Sequence, residues 1–508
     1  MIDPEAPNPS TPAGPVIIVG TAATAKSVIA QLRSLGSASP RVVGTFLVNP
    51  DDSVREDMIG APLMGEVEDL PDVCAQLGVR TAIVSLPAAL SKALARVRAT
   101  LRAANIGERF FPPITDMLAD TALFVRGGSP RIDLAALVGR QPRSLDESRV
   151  RELLQGKRAL ITGAGGSIGS ELARRCAAAG VGELILLERS ENALFDIDRQ
   201  VGALFPAVKR KVVLHDVVEA DATLRRFVAL RPQVVFHAAA HKHVPMMEDH
   251  PAAAVNNNLF GTKSVADASI ATGVERFVMI STDKAVNPTS VMGATKRLAE
   301  IYVTAANDTQ HRTRCCLVRF GNVLGSNCSV LPIWSAQIAE GGPVTVTHPE
   351  MTRYFMTIPE AASLVIQAAT VNDDHAEVLV LDMGEPVLIK GLAERFIRAH
   401  GLVPDWNQQH PESDEINSIR VLFTGARPGE KLHEELSYSA EELRQTPVPG
   451  VLAWKGKRPQ REQIMQMVAE MSGVRHAETP SVVLDAIKRQ LAMLDGPSQN
   501  HLLSADAA

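Results

Sequence analysis

Cysteine, aromatic residues and net charge are all scarce in this 508-residue chain, and each shortage excludes a class of protein. With 52 Lys and Arg against 57 Asp and Glu, the formal charge is −5, which provides no positive field for a nucleic acid. The five cysteines form no C-x-x-C pair, so neither a disulfide framework nor a zinc knuckle is predicted. They are Cys74, Cys176, Cys315, Cys316 and Cys328.

Long apolar runs are missing as well. None approaches the roughly 18 residues that a bilayer span requires. The N-terminal sequence MIDPEAPNPSTPAGP lacks the basic start and apolar core of a signal peptide. His241, His243 and His250 lie close in sequence but lack the carboxylate and cysteine spacing of a metal site. We therefore expect a soluble cytoplasmic protein with no integral membrane segment, no nucleic-acid partner and no metal.

The length and the 45% hydrophobic content predict two to four globular domains. A flexible lead at 1–14 precedes short apolar runs that alternate with helical sequence, as in a βαβ unit. This pattern predicts an N-terminal Rossmann-like domain over 15–120, followed by a connector at 121–156. A second, longer alternation of strands and helices covers 157–445, and 446–508 is predicted to be a polar helical tail. The predicted fold class is α/β, with two doubly wound parallel sheets.

A glycine-rich turn opens the second domain. In TGAGGSIGS, Gly163, Gly166 and Gly169 have G-x-x-G-x-x-G spacing, directly after a predicted strand and before a helix. Such a turn lets backbone N–H groups and the helix N-terminus hold a pyrophosphate, which predicts a dinucleotide site. The corresponding turn of the first domain, GTAATA at 20–25, keeps one glycine, so we expect a structural or regulatory role there rather than dinucleotide binding.

The end of the next strand bears on the choice of cofactor. Glu188 lies nineteen residues beyond Gly169, where a carboxylate accepts hydrogen bonds from an adenosine ribose, and this favours NAD. Arg189 follows directly, and a guanidinium pairs with a 2′-phosphate, so NADP stays an alternative. Asp216 ends the third strand, where it would meet the adenine edge or cap the strand.

A polar segment follows another predicted strand of this sheet. STDKAVNPTSVMGATKR places Thr282, Asp283 and Lys284 side by side at a strand's carboxyl end, where open α/β sheets bind their ligands. Lys296 comes four residues after Met292, one helical turn, so both can face the nicotinamide. We interpret these five residues as candidate catalytic groups.

These motifs resemble the extended short-chain dehydrogenase/reductase superfamily, and within it the CapD-type polysaccharide biosynthesis proteins, which are UDP-N-acetylglucosamine 4,6-dehydratases. The resemblance implies a smaller C-terminal substrate-binding part within the second domain. It extends over most of the chain through five further blocks: HAAAHKHVPMMEDHP at 237–251, NNLFGT at 257–262, RFGNVLGSN at 319–327, MTRYFMTIPEA at 351–361 and TGARPGEKLHEEL at 424–436. Larger family members carry N-terminal membrane helices, which this sequence lacks. Met292 also occupies the place of the superfamily's catalytic Tyr, and a thioether cannot transfer a proton.

The resemblance implies a role for each motif residue. Besides the residues already named, it implies cofactor contacts from Ser167, Ile168, Ser190, Val217, Ala238, Ala239, Lys242 and Asn258. Asn322, Arg353, Arg427 and Glu430 are implied to contact the UDP moiety, and Lys242 with His243 to line the sugar pocket. For Lys431 and Glu434 we expect side chains on a solvated helix.

A three-move reaction is compatible with these residues. Thr282 would position the sugar C4 hydroxyl, Asp283 or a water would accept its proton, and Lys296 would bind the nicotinamide ribose. Lys284 is the candidate base at C5, which requires burial or a neighbouring cation to lower its pKa. Asp283 is the candidate acid at the C6 hydroxyl. The alternatives are a nucleotide-sugar 4-epimerase and a non-catalytic nucleotide-binding scaffold; superfamily analogy predicts a homo-oligomer.

Overall fold

The structure is a computed structural model with two compact units. It describes residues 15–34, 40–48, 56–86, 90–111, 137–138, 146–307, 312–326, 329–371, 378–400, 402–406, 418–438, 443–454 and 459–495. The first unit comprises 1–132, 335–344 and 393–422, and the second comprises 133–334, 345–392 and 423–508. Among the described residues, no helix combines the length and apolar character needed to cross a bilayer.

The first unit contains a four-stranded parallel sheet. Its strands are β1 Val16–Gly20, β2 Val42–Leu47, β3 Thr81–Ser85 and β4 Gly107–Phe110, in the order β2-β1-β3-β4. The accompanying helices are α1 Ala22–Ser34, α2 Glu56–Ile59, α3 Leu70–Leu77 and α4 Ser91–Ala103. Every residue of β1 is buried, as expected for a central strand with both faces covered. Later in the chain, 403–405 and 418–423 form a short parallel pair.

The second unit is built on a nine-stranded sheet. Its strands are β5 Arg158–Thr162, β6 Glu183–Glu188, β7 Arg210–Leu214, β8 Val234–His237, β9 Arg276–Ile280, β10 Arg314–Arg319, β11 Val378–Leu381, β12 Leu443–Gln445 and β13 Val451–Trp454. Their order is β12-β13-β11-β10-β9-β8-β5-β6-β7, and only the pairings of β13 are antiparallel. The strand order reverses at β5, the switch point where ligands bind in doubly wound sheets.

Helices cover both faces of the large sheet. They are α5 Glu147–Leu154, α6 Ser167–Ala178, α7 Glu191–Leu204, α8 Ala220–Leu230, α9 Val244–Asp249, α10 Pro251–Ala254, α11 Gly261–Ala271, α12 Val291–Ala305, α14 Ile358–Ala368, α16 Arg461–Val474 and α17 Pro480–Asp495. Two further helices, α13 Val330–Ala339 and α15 Ile389–Ala399, contribute residues to both units. A π-helical stretch covers 255–260, and short strands lie at 322–324, 344–346, 352–353, 355–357 and 387–388. Alternate residues of β5 enter two separate cores, Leu160 on one side and Ile161 on the other. The α/β fold with parallel sheets is thus confirmed.

The segment after residue 445 contributes to this unit. Strand β13 pairs with β11, and α16 and α17 bury Met467 and Ile487 completely in one of the two cores. Most of their polar residues are exposed or half-buried, although Gln490 is buried, and this is why the sequence of the segment suggests a polar tail. The domain boundaries drawn from the sequence remain predictions.

Candidate functional site

The glycine turn lies between β5 and α6, as the motif predicts. Gly163 has φ +64°, and a Cβ built on it would lie 2.7 Å from the backbone N of Ala239. A Cβ on Gly169 would overlap the carbonyl oxygen of Gly163. These two glycines are therefore required by the close packing of the turn on its own helix and on the segment after β8.

A cavity of about 270 Å³ opens beside this turn. Of the predicted cofactor residues, those lining it are Gly163, Gly166, Glu188, Arg189, Asp216, Val217, Ala238 and Ala239. The lining residues that were not predicted are Gly165, Leu187, Ala193, His215, Ala240 and Asn257. Gly165 had a signal, because it is part of the GG pair, and a Cβ on it would lie 2.5 Å from the Cβ of Ala193. Glycines, strand-end acids and small residues around one cavity fit a dinucleotide.

The polar wall of the cavity holds both a carboxylate and a guanidinium. Glu188 accepts hydrogen bonds from the backbone N–H groups of Gly165 (3.2 Å), Arg189 (2.9 Å) and Ser190 (3.2 Å). The Arg189 Nη1 lies 4.0 Å from the nearest Asp216 oxygen, and the Arg189 side chain is half exposed. Groups suited to a ribose diol and to a 2′-phosphate are therefore adjacent.

Asn258 organises the loop that follows β8. Its buried amide accepts from the backbone N–H of His241 (2.8 Å) and donates to the carbonyl of His241 (3.1 Å) and to Thr295 Oγ1 (3.2 Å). Lys242 and His243 follow in this loop, and His243 precedes α9. Burial first, and then the charges of Lys242 and Arg427, lower the pKa of His243. Burial also lowers the pKa of His241, so this loop holds two imidazoles whose charged forms are disfavoured.

Thr282, Asp283 and Lys284 come together at the end of β9. The Thr282 hydroxyl donates to Asp283 Oδ1 (2.8 Å) and also caps the short 3-10 turn 283–285 by accepting from the N–H of Lys284 (3.4 Å). Lys284 Nζ donates to the same Asp283 oxygen at 3.0 Å. Asp283 is fully buried, so this acidic group is held in one position.

Two residues distant in sequence complete the surroundings of Lys284. Its Nζ lies 3.1 Å from Asn322 Oδ1 and 3.5 Å from Glu434 Oε1. The side chain of Glu434 is only 3% exposed, and Lys431 donates to the carbonyl of Val286 at 2.8 Å. The expectation of a solvated helix for Lys431 and Glu434 is therefore wrong, because a non-helical segment folds back over the end of β9. We call Asp283, Lys284 and Glu434 the carboxylate–lysine cluster.

The electrostatics of the cluster also differ from expectation. Burial disfavours the charged form of Lys284, but the carboxylates of Asp283 and Glu434 outweigh it, so the pKa of Lys284 is raised. A lysine base requires a lowered pKa, whereas the raised pKa of Lys284 favours its ammonium form. Asp283 Oδ2 and Glu434 Oε2 are buried without a hydrogen-bond partner among the described residues.

Lys296 and Met292 occupy the first half of α12. Lys296 Nζ donates to the carbonyl of Ile280 at 2.7 Å. Burial lowers the pKa of Lys296 to about 8, against the opposing effect of Glu300. Met292 is 3% exposed and packs in the apolar core. Lys296 is thus a cation that titrates near neutrality at the end of β9.

The predicted UDP contacts do not all lie together. Asn322 belongs to the surroundings of Lys284, and Arg353, 6% exposed, donates to the carbonyls of Thr352 (2.7 Å) and Leu432 (3.2 Å). Arg427 is exposed and binds Glu430 at 2.6 Å. Burial opposes the charge of Glu430, but its hydrogen bonds with Arg427 outweigh that effect and lower its pKa. Glu430 therefore holds Arg427 in place.

The turn after β1 in the first unit is occupied by hydroxyl groups. Thr24 N donates to Thr21 Oγ1 (3.3 Å), Thr21 N donates to Thr24 Oγ1 (2.9 Å), and Thr24 Oγ1 donates to the carbonyl of Ser85 (2.6 Å). A Cβ on Gly20 would lie 2.6 Å from Thr24 Oγ1. Side chains thus fill the space beside the start of α1.

Comparison with known proteins places these features in a family. The family model described as polysaccharide biosynthesis protein matches residues 159–455. The chain is 39% identical over 423 residues to the capsular polysaccharide biosynthesis protein CapD of Staphylococcus aureus, covering 83% of this chain and 68% of that protein.

Two other relatives are similar over a shorter stretch. A UDP-glucose 4-epimerase of Rickettsia rickettsii is 32% identical over 292 residues, covering 56% of this chain and 79% of that protein. A UDP-N-acetylglucosamine 4,6-dehydratase (inverting) of Campylobacter jejuni is 30% identical over 287 residues, covering 56% of this chain and 78% of that protein. The glycine turn, the segment after β9 and the block around Glu434 all lie within the matched residues, and the chain belongs to the CapD-like polysaccharide biosynthesis proteins of the extended short-chain dehydrogenase/reductase superfamily.

Proposed function

We propose that the protein is a nucleotide-sugar 4,6-dehydratase that acts on UDP-N-acetylglucosamine in surface polysaccharide biosynthesis. The observation that carries the proposal is the contact between a buried carboxylate and an amine, Asp283 and Lys284, at the carboxyl end of β9. Removing water from a sugar requires an acid and a base on neighbouring carbons, and this pair supplies both groups. The similarity to a named dehydratase of this substrate class supports the choice.

NAD is the proposed cofactor, held by the glycine turn, Glu188, Asp216 and Ala238. When bound, it would accept a hydride from sugar C4 and return a hydride to C6, so that the net redox change is zero. Lys296 would add positive charge at the nicotinamide end. NADP is the alternative, with Arg189 as its 2′-phosphate partner. Isothermal titration with both dinucleotides separates them: an Arg189→Ala variant that weakens NADP and NAD equally would argue against that role for the guanidinium.

Asp283 and Lys284 would carry the protons. Thr282, which already donates to Asp283, would orient the C4 hydroxyl, and Asp283 would accept its proton in place of the missing tyrosine. The resulting carboxylic acid would then protonate the departing C6 hydroxyl. Lys284 would take the C5 proton, which the C4 carbonyl makes acidic, and later return a proton to C5. The C4 proton therefore leaves in the water molecule, and only C5 receives a proton back.

Cations near the cluster would bind the diphosphate of the substrate. Arg353 lies close enough to Lys284 for its charge to oppose the rise in the pKa of that lysine. Arg427 is exposed and is oriented by Glu430. A guanidinium binds phosphate oxygens bidentately, so both suit a pyrophosphate. Lys242 and His243 would line the sugar pocket. Cytoplasmic location and homo-oligomer formation remain predictions.

A nucleotide-sugar 4-epimerase is the second candidate, favoured by the similarity to a named epimerase. An epimerase shares the C4 oxidation, for which Asp283 would accept the hydroxyl proton, but it needs no acid and base at C5 and C6, so Lys284 would have no proton to take from C5. Product analysis by NMR after incubation with UDP-N-acetylglucosamine in deuterated water decides between them. We expect a 4-keto-6-deoxy product with deuterium at C5. A UDP-N-acetylgalactosamine product without any 4-keto signal would show the epimerase instead.

A further inference from the structure

We infer that Glu434 is a third proton-holding site of the carboxylate–lysine cluster, which accepts the ammonium proton of Lys284 and so converts that lysine into a base. Glu434 acts through Lys284 and is therefore a positioning residue. The inference rests on the proposed dehydration. It answers a conflict in the site: the cluster stabilises the ammonium form of Lys284, whereas abstraction at C5 needs the free amine.

The geometry of Glu434 suits this task. Its side chain is 3% exposed, Oε1 lies 3.5 Å from Lys284 Nζ, and Oε2 is buried without a partner among the described residues. Lys284 also donates to Asp283 Oδ1 at 3.0 Å, so one ammonium lies between two buried carboxylates. When this cluster holds two protons, only the second carboxylate allows the amine to be neutral while Asp283 is protonated.

The proton balance closes over one turnover. The cluster begins with a single proton, on Lys284. When the C4 O–H bond breaks, its proton goes to Asp283, and the proton of Lys284 moves to Glu434, leaving an acid and a free amine together.

Elimination then uses both groups. The C5–H bond breaks with its proton going to Lys284, its electron pair forms the C5–C6 double bond, and the C6–O bond breaks as Asp283 protonates the departing hydroxyl to give water. Lys284 returns a proton to C5 once C6 is reduced, and Glu434 returns its proton to Lys284. The cluster ends as it began. No tyrosine is required, which accounts for the tolerance of Met292 at the tyrosine position.

The first test needs neither substrate nor cofactor. The ligand-free protein is exposed briefly to acetic anhydride between pH 7 and 11, and acetylation of Lys284 is measured by peptide mass spectrometry. In Glu434→Gln the midpoint of the modification curve should move to lower pH, because one of the two carboxylates that stabilise the ammonium is gone. The matched control is Glu435→Gln, whose adjacent carboxylate is half exposed and binds Asn287. A midpoint unchanged in Glu434→Gln, or shifted equally in both variants, would overturn the inference.

The second test follows deuterium exchange at C5 of the 4-keto product in deuterated water. Glu434→Gln should slow exchange at pH 7 on the order of 10²-fold, the usual contribution of a positioned base. Exchange should recover as the pH rises and Lys284 loses its proton to solvent, and Glu434→Asp should restore part of the rate at pH 7. A loss that is the same at every pH, or no loss, contradicts the relay.

The two failures can be told apart. If the unmodified protein produces no 4-keto sugar from UDP-N-acetylglucosamine, the proposed dehydration is wrong, while the acetylation midpoints still report on the contact between Glu434 and Lys284. If the unmodified protein dehydrates the substrate and Glu434→Gln does so equally fast at pH 7, the relay alone is wrong. Circular dichroism of each variant establishes that it is folded before either comparison is made.

Discussion

Replacing Glu300 by Gln should strongly destabilise the second unit, because this carboxylate neutralises two buried guanidinium groups. Arg319 is fully buried and donates two hydrogen bonds to Glu300, at 2.7 and 2.6 Å. Arg297 Nη1 lies 3.2 Å from the second carboxylate oxygen, and Ser281 Oγ donates to the first at 2.7 Å. Because Ser281 directly precedes Thr282, the same carboxylate fixes the end of β9 behind the site.

The size of the effect follows from the burial. Removing one partner of a buried ion pair leaves an uncompensated charge and costs about 3–5 kcal/mol of the free energy of unfolding. The unfolding entropy of a unit of this size, at about 2.1 cal/mol/K per residue, converts that loss into a fall of roughly 4–7 °C in the melting temperature. Differential scanning calorimetry measures it. The control is Glu147→Gln, which removes an exposed ion pair with Arg151 and should cost less than about 1 kcal/mol.

The stabilisation by Glu300 should also depend on pH in a defined direction. Burial opposes the charge of Glu300, but Arg319 and Arg297 outweigh it, so its pKa is lowered from the ordinary 4.5. A carboxyl group whose pKa is lower in the folded than in the unfolded protein stabilises the fold at pH values above its unfolded-state pKa. This stabilisation is lost as the pH falls through its folded-state pKa. The stability difference between the native protein and Glu300→Gln should therefore be full at pH 7 and begin to shrink below pH 4.5. A difference under about 1 kcal/mol at pH 7 would refute the reasoning.

Four further substitutions test the site. Asp283→Asn and Lys284→Ala should each abolish formation of the 4-keto product in the NMR assay. Isothermal titration should find their affinity for NAD unchanged, and weakened NAD binding would contradict the proposal that these residues act on the sugar. In the native protein, the affinity for NAD should fall as the pH rises through about 8, the pKa of Lys296, and in Lys296→Met this fall should disappear. A native affinity that stays constant across that pH range would contradict the role of Lys296. Gly169→Ala should greatly weaken NAD binding, since its Cβ would meet the backbone of the turn, whereas Gly473→Ala, with open space around it, should bind NAD normally.

The sequence predicted the elements that local patterns specify. The β5 turn is recognisable because glycine spacing reflects a backbone constraint that Gly163 and Gly169 satisfy within one strand–turn–helix unit. Likewise, Asp283 and Lys284 are consecutive, and their contact requires only a capped turn after a strand. Such short-range features can be predicted from the sequence because their geometry depends only on neighbouring residues.

Contacts over long separations were missed for the opposite reason. Glu434 occurs in EKLHEEL, whose charge pattern is typical of an exposed helix, and only the tertiary fold brings it to Lys284. Arg297 pairs with Asp495 at 2.6 Å across 198 positions of sequence, so the final helix neutralises a charge close to the site. Nothing in the neighbouring sequence predicts that Glu434 or Asp495 is paired, because the cation that each carboxylate binds is far away along the chain.

The register of the central strands places the glycine turn after β5 and the polar segment after β9 near the same edge of the sheet. Thr162 of β5 pairs with His237 of β8, and His237 pairs with Met279 of β9, so all three strands end at one level of the sheet. Neighbouring strands lie about 4.8 Å apart, which puts the glycine turn and the segment after β9 roughly 10 Å from each other. Between them, burial lowers the pKa of His237 to about 3, so this strand adds no charge. A dinucleotide held at the turn, as proposed, would therefore extend across an uncharged strand end toward Lys296 and the carboxylate–lysine cluster.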